Sequence, residues 1–279
     1  MTYFDQGQKL PFKYTVLGRI LEFFRLVWVV TINKSRQGSS NALKAMLMRS
    51  LQMVVMMAAF YALISVTGLR SMSVRGDFML FLASGIFLLF LHLGGLNSAM
   101  GIGDTEHGAN VHAPVTPLLN LVSSALSQLH TNVITIAVIL LLIHLLIEPV
   151  KIDNLQKVAA ACGVTLLSGM AIGSVIGGIG SFIPLVKKFA PMVFMRVNMV
   201  FSGKMFAANS LPISMIPFFW WNPLFHCIDQ ARDGIFVNYT AKHTTLAYPL
   251  WLSFGLFALG FMLMHASKKL VSQSWSARQ

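Results

Sequence analysis

Five runs of mainly apolar residues, at roughly 51–69, 78–99, 124–147, 158–183 and 247–266, recur along this 279-residue chain. A helix that crosses the hydrocarbon core of a bilayer needs about 20 such residues. Backbone in hydrocarbon must satisfy its own hydrogen bonds, and a helix does so internally. A sixth run, about 189–208, is apolar but interrupted by Arg196 and Lys204. The pattern predicts an all-α integral membrane protein with six transmembrane helices. Composition agrees, with 56% hydrophobic and 11% charged residues, where soluble domains carry roughly a quarter charged. Such a chain lacks the polar surface to cover a globule in water. No stretch is left for a separate soluble domain, so residues 1–279 read as one transmembrane domain. Within it, 1–49 form a cytoplasmic and interfacial segment and 50–270 the six-helix part.

Residues 20–32 (ILEFFRLVWVVTI) are too short to cross, and Arg19, Glu22 and Arg25 recur every third residue beside them. One polar stripe on a helix otherwise covered by Phe, Leu, Trp and Val suits a helix lying in the interface. The net charge of +12 could suggest a nucleic-acid partner, but the basic residues flank apolar runs, where they set orientation. Lys9, Lys13, Arg19, Arg25, Lys34, Arg36, Lys44 and Arg49, with Lys187, Lys188, Lys268, Lys269 and Arg278, fall on one side. Arg70, Arg75, Lys151, Lys157, Arg232 and Lys242 fall on the other. The richer side is cytoplasmic, so both termini are expected there. The N-terminus lacks a short apolar core followed by a small-residue cleavage site, and no removable signal peptide is expected.

Enzymatic readings meet little support. Gly203-Lys204 lacks the upstream glycine and the following Ser or Thr of a phosphate loop, and no HExxH occurs. His107 and His112, with Glu106 nearby, have no further ligands, so no metal is expected. His92, His130 and His144 lie singly in apolar runs and read as polar groups facing the bundle. Cys162 and Cys227 have no metal or disulfide spacing. In the fourth run, SGMAIGSVIGG places Gly169, Gly173 and Gly177 at intervals of four, a bare face for close backbone approach to another helix. Spacing alone does not say whether that helix belongs to the same chain.

The segment before the last run differs in kind. Residues 209–225 (NSLPISMIPFFWWNPLF) contain Pro212, Pro217 and Pro223, too many for one spanning helix. Broken backbone at membrane depth is tolerated where protein or a wet cavity satisfies it. The expectation is a re-entrant pair of short helices on the periplasmic side, with Phe218, Phe219, Trp220 and Trp221 near the interface. Asp229 and Arg232, three apart, could form a surface ion pair on the helix that follows.

The order Leu211-Pro212, Trp221-Asn222-Pro223-Leu224, His226 and Arg232, followed by one last span, resembles the ABC-2 class of transporter permeases. It looks most like those that export capsular polysaccharide. A second match lies in GDTEHGANVHAPVTP, at Glu106, Gly108, Pro114, Val115 and Pro117. The correspondence covers roughly residues 15–270. It departs at the N-terminus, where NKSRQGSSNALKAMLMRS keeps Lys34, Arg36 and Gly38 but lacks the family's tryptophan and proline.

The resemblance implies a permease that pairs with a second copy of itself and with two ATP-binding subunits, which would carry the ATP and Mg; no cofactor would be bound by this chain. It implies a lipid-linked anionic polysaccharide as substrate, a bacterial inner-membrane location, and periplasmic adaptor or outer-membrane export proteins as further partners. Asp104, Glu106, Gly108 and Pro114 would couple the chain to the ATP-binding subunit. Trp220, Trp221, Asn222, Pro223 and Arg232 would form a periplasmic gate. Arg196 and Lys204, eight apart and on one face of a continuous helix, have no predicted acidic partner and would line a wet pathway. Related permeases for O-antigen, teichoic acid or a drug-like lipid fit the same features. A stand-alone secondary transporter would show matching broken helices in both halves, but only the C-terminal half has one. An enzyme acting on polyprenyl-linked sugars would need clustered acidic residues, and the nine Asp and Glu are scattered.

Overall fold

The computed structural model describes residues 16–37, 42–67, 78–101, 117–146 and 149–276, and among them the regular structure is helical, with no strand. Its α-helices are α1 (Val16–Gln37), α2 (Ala42–Thr67), α3 (Phe78–Met100), α4 (Pro117–Leu146), α5 (Leu155–Gly180), α6 (Pro184–Phe201), α7 (Ile216–Trp220), α8 (Pro223–Ile235) and α9 (Ala247–Ser276). Four described helices are long and apolar enough to cross a bilayer: Phe78–Met100, Leu118–Leu145, Leu155–Gly180 and Ala247–Ser267. The apolar part of α2, Ser50–Leu63, is shorter. The 18 residues of α6 include Lys187, Lys188 and Arg196. Four of the six expected spans therefore meet the length and hydropathy requirement.

The centre of the bundle is α3. In its apolar stretch 83% of the residues are buried, against 28% for α4 and 22% for α9. Helices of the last kind turn most of their apolar surface away from the rest of this chain. The glycine face of α5 packs on α3. A Cβ at Gly169, Gly173 or Gly177 would lie 2.1, 2.2 or 2.8 Å from the carbonyl oxygens of His92, Leu96 and Met100. Both series advance by four, so α3 and α5 run in the same direction with their backbones nearly touching. The partner of this bare face thus belongs to the same chain. On its other side α5 meets α9 in parallel: Ser174 packs at Gly260 and Leu263 at Gly178. Small residues let backbones approach, and dispersion contacts then hold helices together where no hydrophobic effect separates protein from lipid.

Near one end of α4, Thr31 donates to the Val27 carbonyl at 2.7 Å and approaches the Ser123 carbonyl at 3.4 Å. This holds α1 on α4, while Phe24, Trp28 and Val29 face outward. The helix is longer than the predicted 20–32. His92 is buried and faces the bundle, its Nδ1 within 3.1 Å of Thr165 O and Ser168 Oγ. His130 and His144 are exposed in this chain, which corrects the expectation for those two: a lone histidine in an apolar run does not reveal its facing.

Candidate functional site

The sixth apolar run does not continue as one helix. α6 stops at Phe201, and Gly203 adopts φ +69, a left-handed conformation that glycine takes without steric cost. A Cβ there would lie 2.6 Å from the Phe225 ring, so both backbone and space require glycine. The chain then passes through short 3-10 turns at Ala208–Ser210 and Ile213–Met215 into α7, which spans five residues. The expected proline-broken stretch is therefore present.

The first part of the break, residues 202–208, is buried or half-buried, and the part that follows is mostly exposed. A Cβ at Gly85 would sit 3.0 Å from the Lys204 Cα. Gly85 is seven residues along α3 from Phe78, about 10 Å at 1.5 Å per residue. The turn after α6 is thus buried against the side of α3 rather than beyond its end.

Asn222 organises the return into α8. Its Oδ1 accepts the Leu224 N–H at 3.0 Å, capping the helix, and Pro223 takes the first helical position. Proline suits that site because its missing N–H would be unpaired there anyway. The other end of the amide donates to Asn198 Oδ1 at 3.0 Å and to the Phe201 carbonyl at 2.9 Å. One side chain therefore joins the end of α6 to the start of α8.

Eleven of the thirteen residues of α8 are buried, Asp229 and Arg232 included. The Arg232 guanidinium donates to Gly203 O at 2.8 Å, Phe206 O at 2.7 Å and Lys204 O at 2.7 Å. Its plane lies over the Phe81 ring, 3.7 Å from the centroid. A planar fork of donors suits this cluster of carbonyls in a way that a point-like ammonium does not. Asp229 takes different partners: the Tyr239 hydroxyl, the Thr244 hydroxyl at 2.7 Å and the Ala208 N–H at 3.4 Å. A carboxylate only accepts, so the Tyr239 and Thr244 hydroxyls both donate to it. The Asp229–Arg232 surface pair suggested by their spacing is corrected on both counts. Both residues are 1% exposed, and each spends its bonding capacity elsewhere. Among the described residues the ion pair is Lys157–Asp233, at 2.8 Å.

The aromatic residues close one side of this segment. His226 Nδ1 accepts the Thr245 N–H at 3.2 Å, which assigns the ring proton to Nε2, donating to the Trp220 carbonyl at 2.8 Å. Trp220 stacks on Tyr248 at 5.9 Å and 9° and donates to the His243 carbonyl at 3.1 Å. Tyr248 donates to the Trp221 carbonyl at 2.8 Å. Trp220, Trp221 and Phe218 remain at least half exposed. Of the five expected gate residues, Trp220, Trp221, Asn222 and Pro223 lie together, with the two tryptophans half exposed and Asn222 and Pro223 buried. Arg232 lies further along α8, on the carbonyls of 203–206.

Arg196 and Lys204 are not brought together. A shared helical face requires the helix to continue through 204, and it ends at Phe201. Lys204 is 1% exposed, its ammonium donating to Met199 O at 2.7 Å and lying over the Phe60 ring at 4.9 Å. Arg196 is exposed on α6. The predicted coupling residues Asp104, Glu106, Gly108 and Pro114 lie outside the described residues. Tyr239, Thr244 and Asn198 escaped sequence reasoning; all three act through bonds to residues 10 to 24 positions away. A glycine directly after an apolar run, in FSGK, was the available signal for the break at 203.

A bundle built around α3, with a buried polar return segment before its last helix, defines a multi-pass helical membrane protein. The chain belongs to the ABC-2 type transporter family, whose model matches residues 22–236. Two polysialic acid transport proteins KpsM of Escherichia coli are 22% and 21% identical to it over 172 residues, 62% of this chain. The chain spans 66% of the length of these relatives over the matched region.

Proposed function

We propose that this chain is the transmembrane permease subunit of an ABC exporter that moves lipid-linked capsular or related polysaccharide across the bacterial inner membrane. Two copies would associate with two ATP-binding subunits, which supply ATP and Mg chemistry that this chain lacks a motif for. The observation that carries the reading is the family match over residues 22–236; the polysaccharide class is supported by the likeness to the two transport proteins.

The geometry supports a division of labour in this reading. The segment 202–246 re-enters the bundle from the periplasmic side, as the depth of the 202–206 turn beside Gly85 suggests. Its aromatic residues form the exit gate, and Arg232 and Asn222 anchor that gate to α3 and α6. Asp104, Glu106, Gly108 and Pro114 dock on the ATP-binding subunit from the cytoplasmic side, and α1 lies in the cytoplasmic interface. Both termini are cytoplasmic, and periplasmic adaptor and outer-membrane proteins carry the polymer onward.

The test is purification of the chain alone and with its ATP-binding subunit, combined with deletion in the native host. The expected result is ATP hydrolysis only in the two-component complex, and loss of surface polysaccharide with lipid-linked polymer retained inside. ATP hydrolysis by the chain alone, or an unchanged surface polymer in the deletion strain, would overturn the proposal.

A further inference from the structure

A second polar cluster lies away from the return segment. Gln52 of α2, Gly94 and Asn97 of α3, Asn132 of α4 and Met195 of α6 line a cavity of about 230 Å³. Gln128 joins them one turn before Asn132 on α4. Asn132 Nδ2 donates to the Gln128 carbonyl at 2.7 Å and approaches Gln128 Oε1 at 3.4 Å. Gly94 makes room for this amide, because a Cβ there would lie 2.9 Å from Gln128 Oε1. Asn132 also borders a larger cavity of about 440 Å³, between α3, α4, α5 and α8, whose walls are otherwise mostly aliphatic, as at Leu88, Leu129, Val133, Ile136 and Val158. Carboxamides are thus gathered on one side of α3 and α4.

Two explanations other than a ligand meet specific difficulties. Amides in membrane helices commonly bond across to a neighbouring helix. Asn132 bonds within its own helix, and Gln52 and Asn97 make no side-chain hydrogen bond among the described residues. A set of ordinary surface amides would not converge on one cavity from three helices. Gln52 and Asn97 are exposed near one end of the apolar stretches of α2 and α3, while Asn132 is buried within α4. The amides thus lead from an open rim to a buried group, and a polar group inside a bundle is costly unless it meets water or a partner.

We propose that this cavity is a subsite for the hydroxyl groups of a sugar chain passing along the α2–α3–α6 face; the inference rests on the export reading above. The Gln52 and Asn97 carboxamides each offer both donors and an acceptor, the complement of a sugar hydroxyl, which also gives and receives. The cluster carries no formal charge. A polymer must enter such a site and leave it again, and conduction requires binding weak enough to release. Neutral hydrogen bonds from several residues meet that requirement, where a cluster of cations would retain an anionic chain. Met195 places the cavity next to Arg196 in sequence, so one helix presents both a hydroxyl-binding wall and a cation.

The experiment uses the full chain in its native host, with the host's surface polysaccharide labelled by feeding tritiated monosaccharides. A photo-crosslinking amino acid replaces Asn97, and in a control strain it replaces Val138, which is exposed on α4. On illumination during export, label is expected to co-purify with the chain from the Asn97 strain and not from the control. Asn97→Leu and Gln52→Leu are each expected to slow export roughly 2- to 10-fold, the loss of one neutral hydrogen bond, with membrane levels unchanged and Asn97→Gln closer to wild type. Phospholipid as the sole adduct, or full export by both Leu variants, would overturn the subsite while leaving the export reading intact. Unchanged surface polymer on deletion of the chain would remove both.

Discussion

Gly169 of α5 lies so close to His92 of α3 that a Cβ on the glycine would fall 2.1 Å from the His92 carbonyl oxygen. No side chain can give way here, because the opposing atoms are backbone. The two helices must move apart, and the contacts at Gly173 and Gly177 open with them.

Gly169→Ala is therefore expected to destabilise the protein by about 1–3 kcal/mol, the usual cost of overpacking. Gly163 lies on the same helix, and a Cβ there would meet nothing within 4 Å. Gly163→Ala should be neutral or stabilising by about 0.4–1 kcal/mol, because the unfolded chain loses freedom. Thermal unfolding of both variants in detergent checks the pair; equal melting temperatures would show that the α3–α5 contact is looser than the structure has it.

The helices were legible because a membrane fixes their length and hydropathy. The sequence reading of 78–99, 158–183 and 247–266 starts within a few residues of α3, α5 and α9. The end of α6 was not legible in the same way. Hydropathy continues past Phe201, but Gly203 turns the chain and the Arg232 guanidinium, 29 residues away from it, takes up the freed carbonyls. The same long-range bond explains why spacing misled for Asp229 and Arg232. Three residues apart on a helix suggests a pair, yet the partners each finds across the fold are better placed.

Arg232 holds the carbonyls of Gly203, Lys204 and Phe206 in one grip. Arg232→Lys keeps the charge but cannot span three acceptors and the Phe81 face. The expected loss is at least one charge-assisted bond, about 1.5–3 kcal/mol. It should appear as a lower melting temperature and as protease cleavage within 202–215. Wild-type melting for the lysine variant would mean that charge alone, rather than the fork, anchors the segment.

Asp229 is surrounded by donors: Tyr239, Thr244 and the Ala208 N–H. Tyr239→Phe removes one bond to a buried carboxylate and should cost about 1.5–3 kcal/mol. Asp229→Asn should be at least as harmful, since half of its amide would point N–H groups at other donors. Unfolding curves for the two variants and the double variant measure their coupling. Additive losses would argue that the hydroxyl and the carboxylate act separately.

Trp220 and Tyr248 stack across the exposed edge of the proposed gate, and Tyr248 also bonds the Trp221 carbonyl. If the segment moves during transport, holding it still must stop the cycle. A cysteine at Trp221, in a chain with Cys162 and Cys227 replaced by Ala, can be joined to its copy in a second permease by a bifunctional maleimide. Crosslinked protein is expected to lose export and to regain it when a cleavable linker is cut. Full export while crosslinked would make the aromatics a static belt at the membrane surface.

Arg196 presents the sharpest electrostatic question on α6. It lies twelve residues from Pro184, about 18 Å along the helix at 1.5 Å per residue. Met192, Val193 and Val200, at i−4, i−3 and i+4, share its face and are exposed with it. Among the described residues no carboxylate pairs with it. Left to hydrocarbon, a central cation costs about 2.5–3.5 kcal/mol on insertion scales, so this face is expected to border water and an anionic chain. Arg196→Gln should then insert normally yet slow export roughly ten-fold or more, as the loss of a charge-assisted contact of about 1.5–3 kcal/mol implies. Arg196→Lys should restore part of it, because charge is kept while the planar fork is lost. Export and membrane level must be measured together in both strains. Equal export by the Gln and Lys variants would mean that the side chain only reaches along the helix to a water interface and takes no part in the pathway.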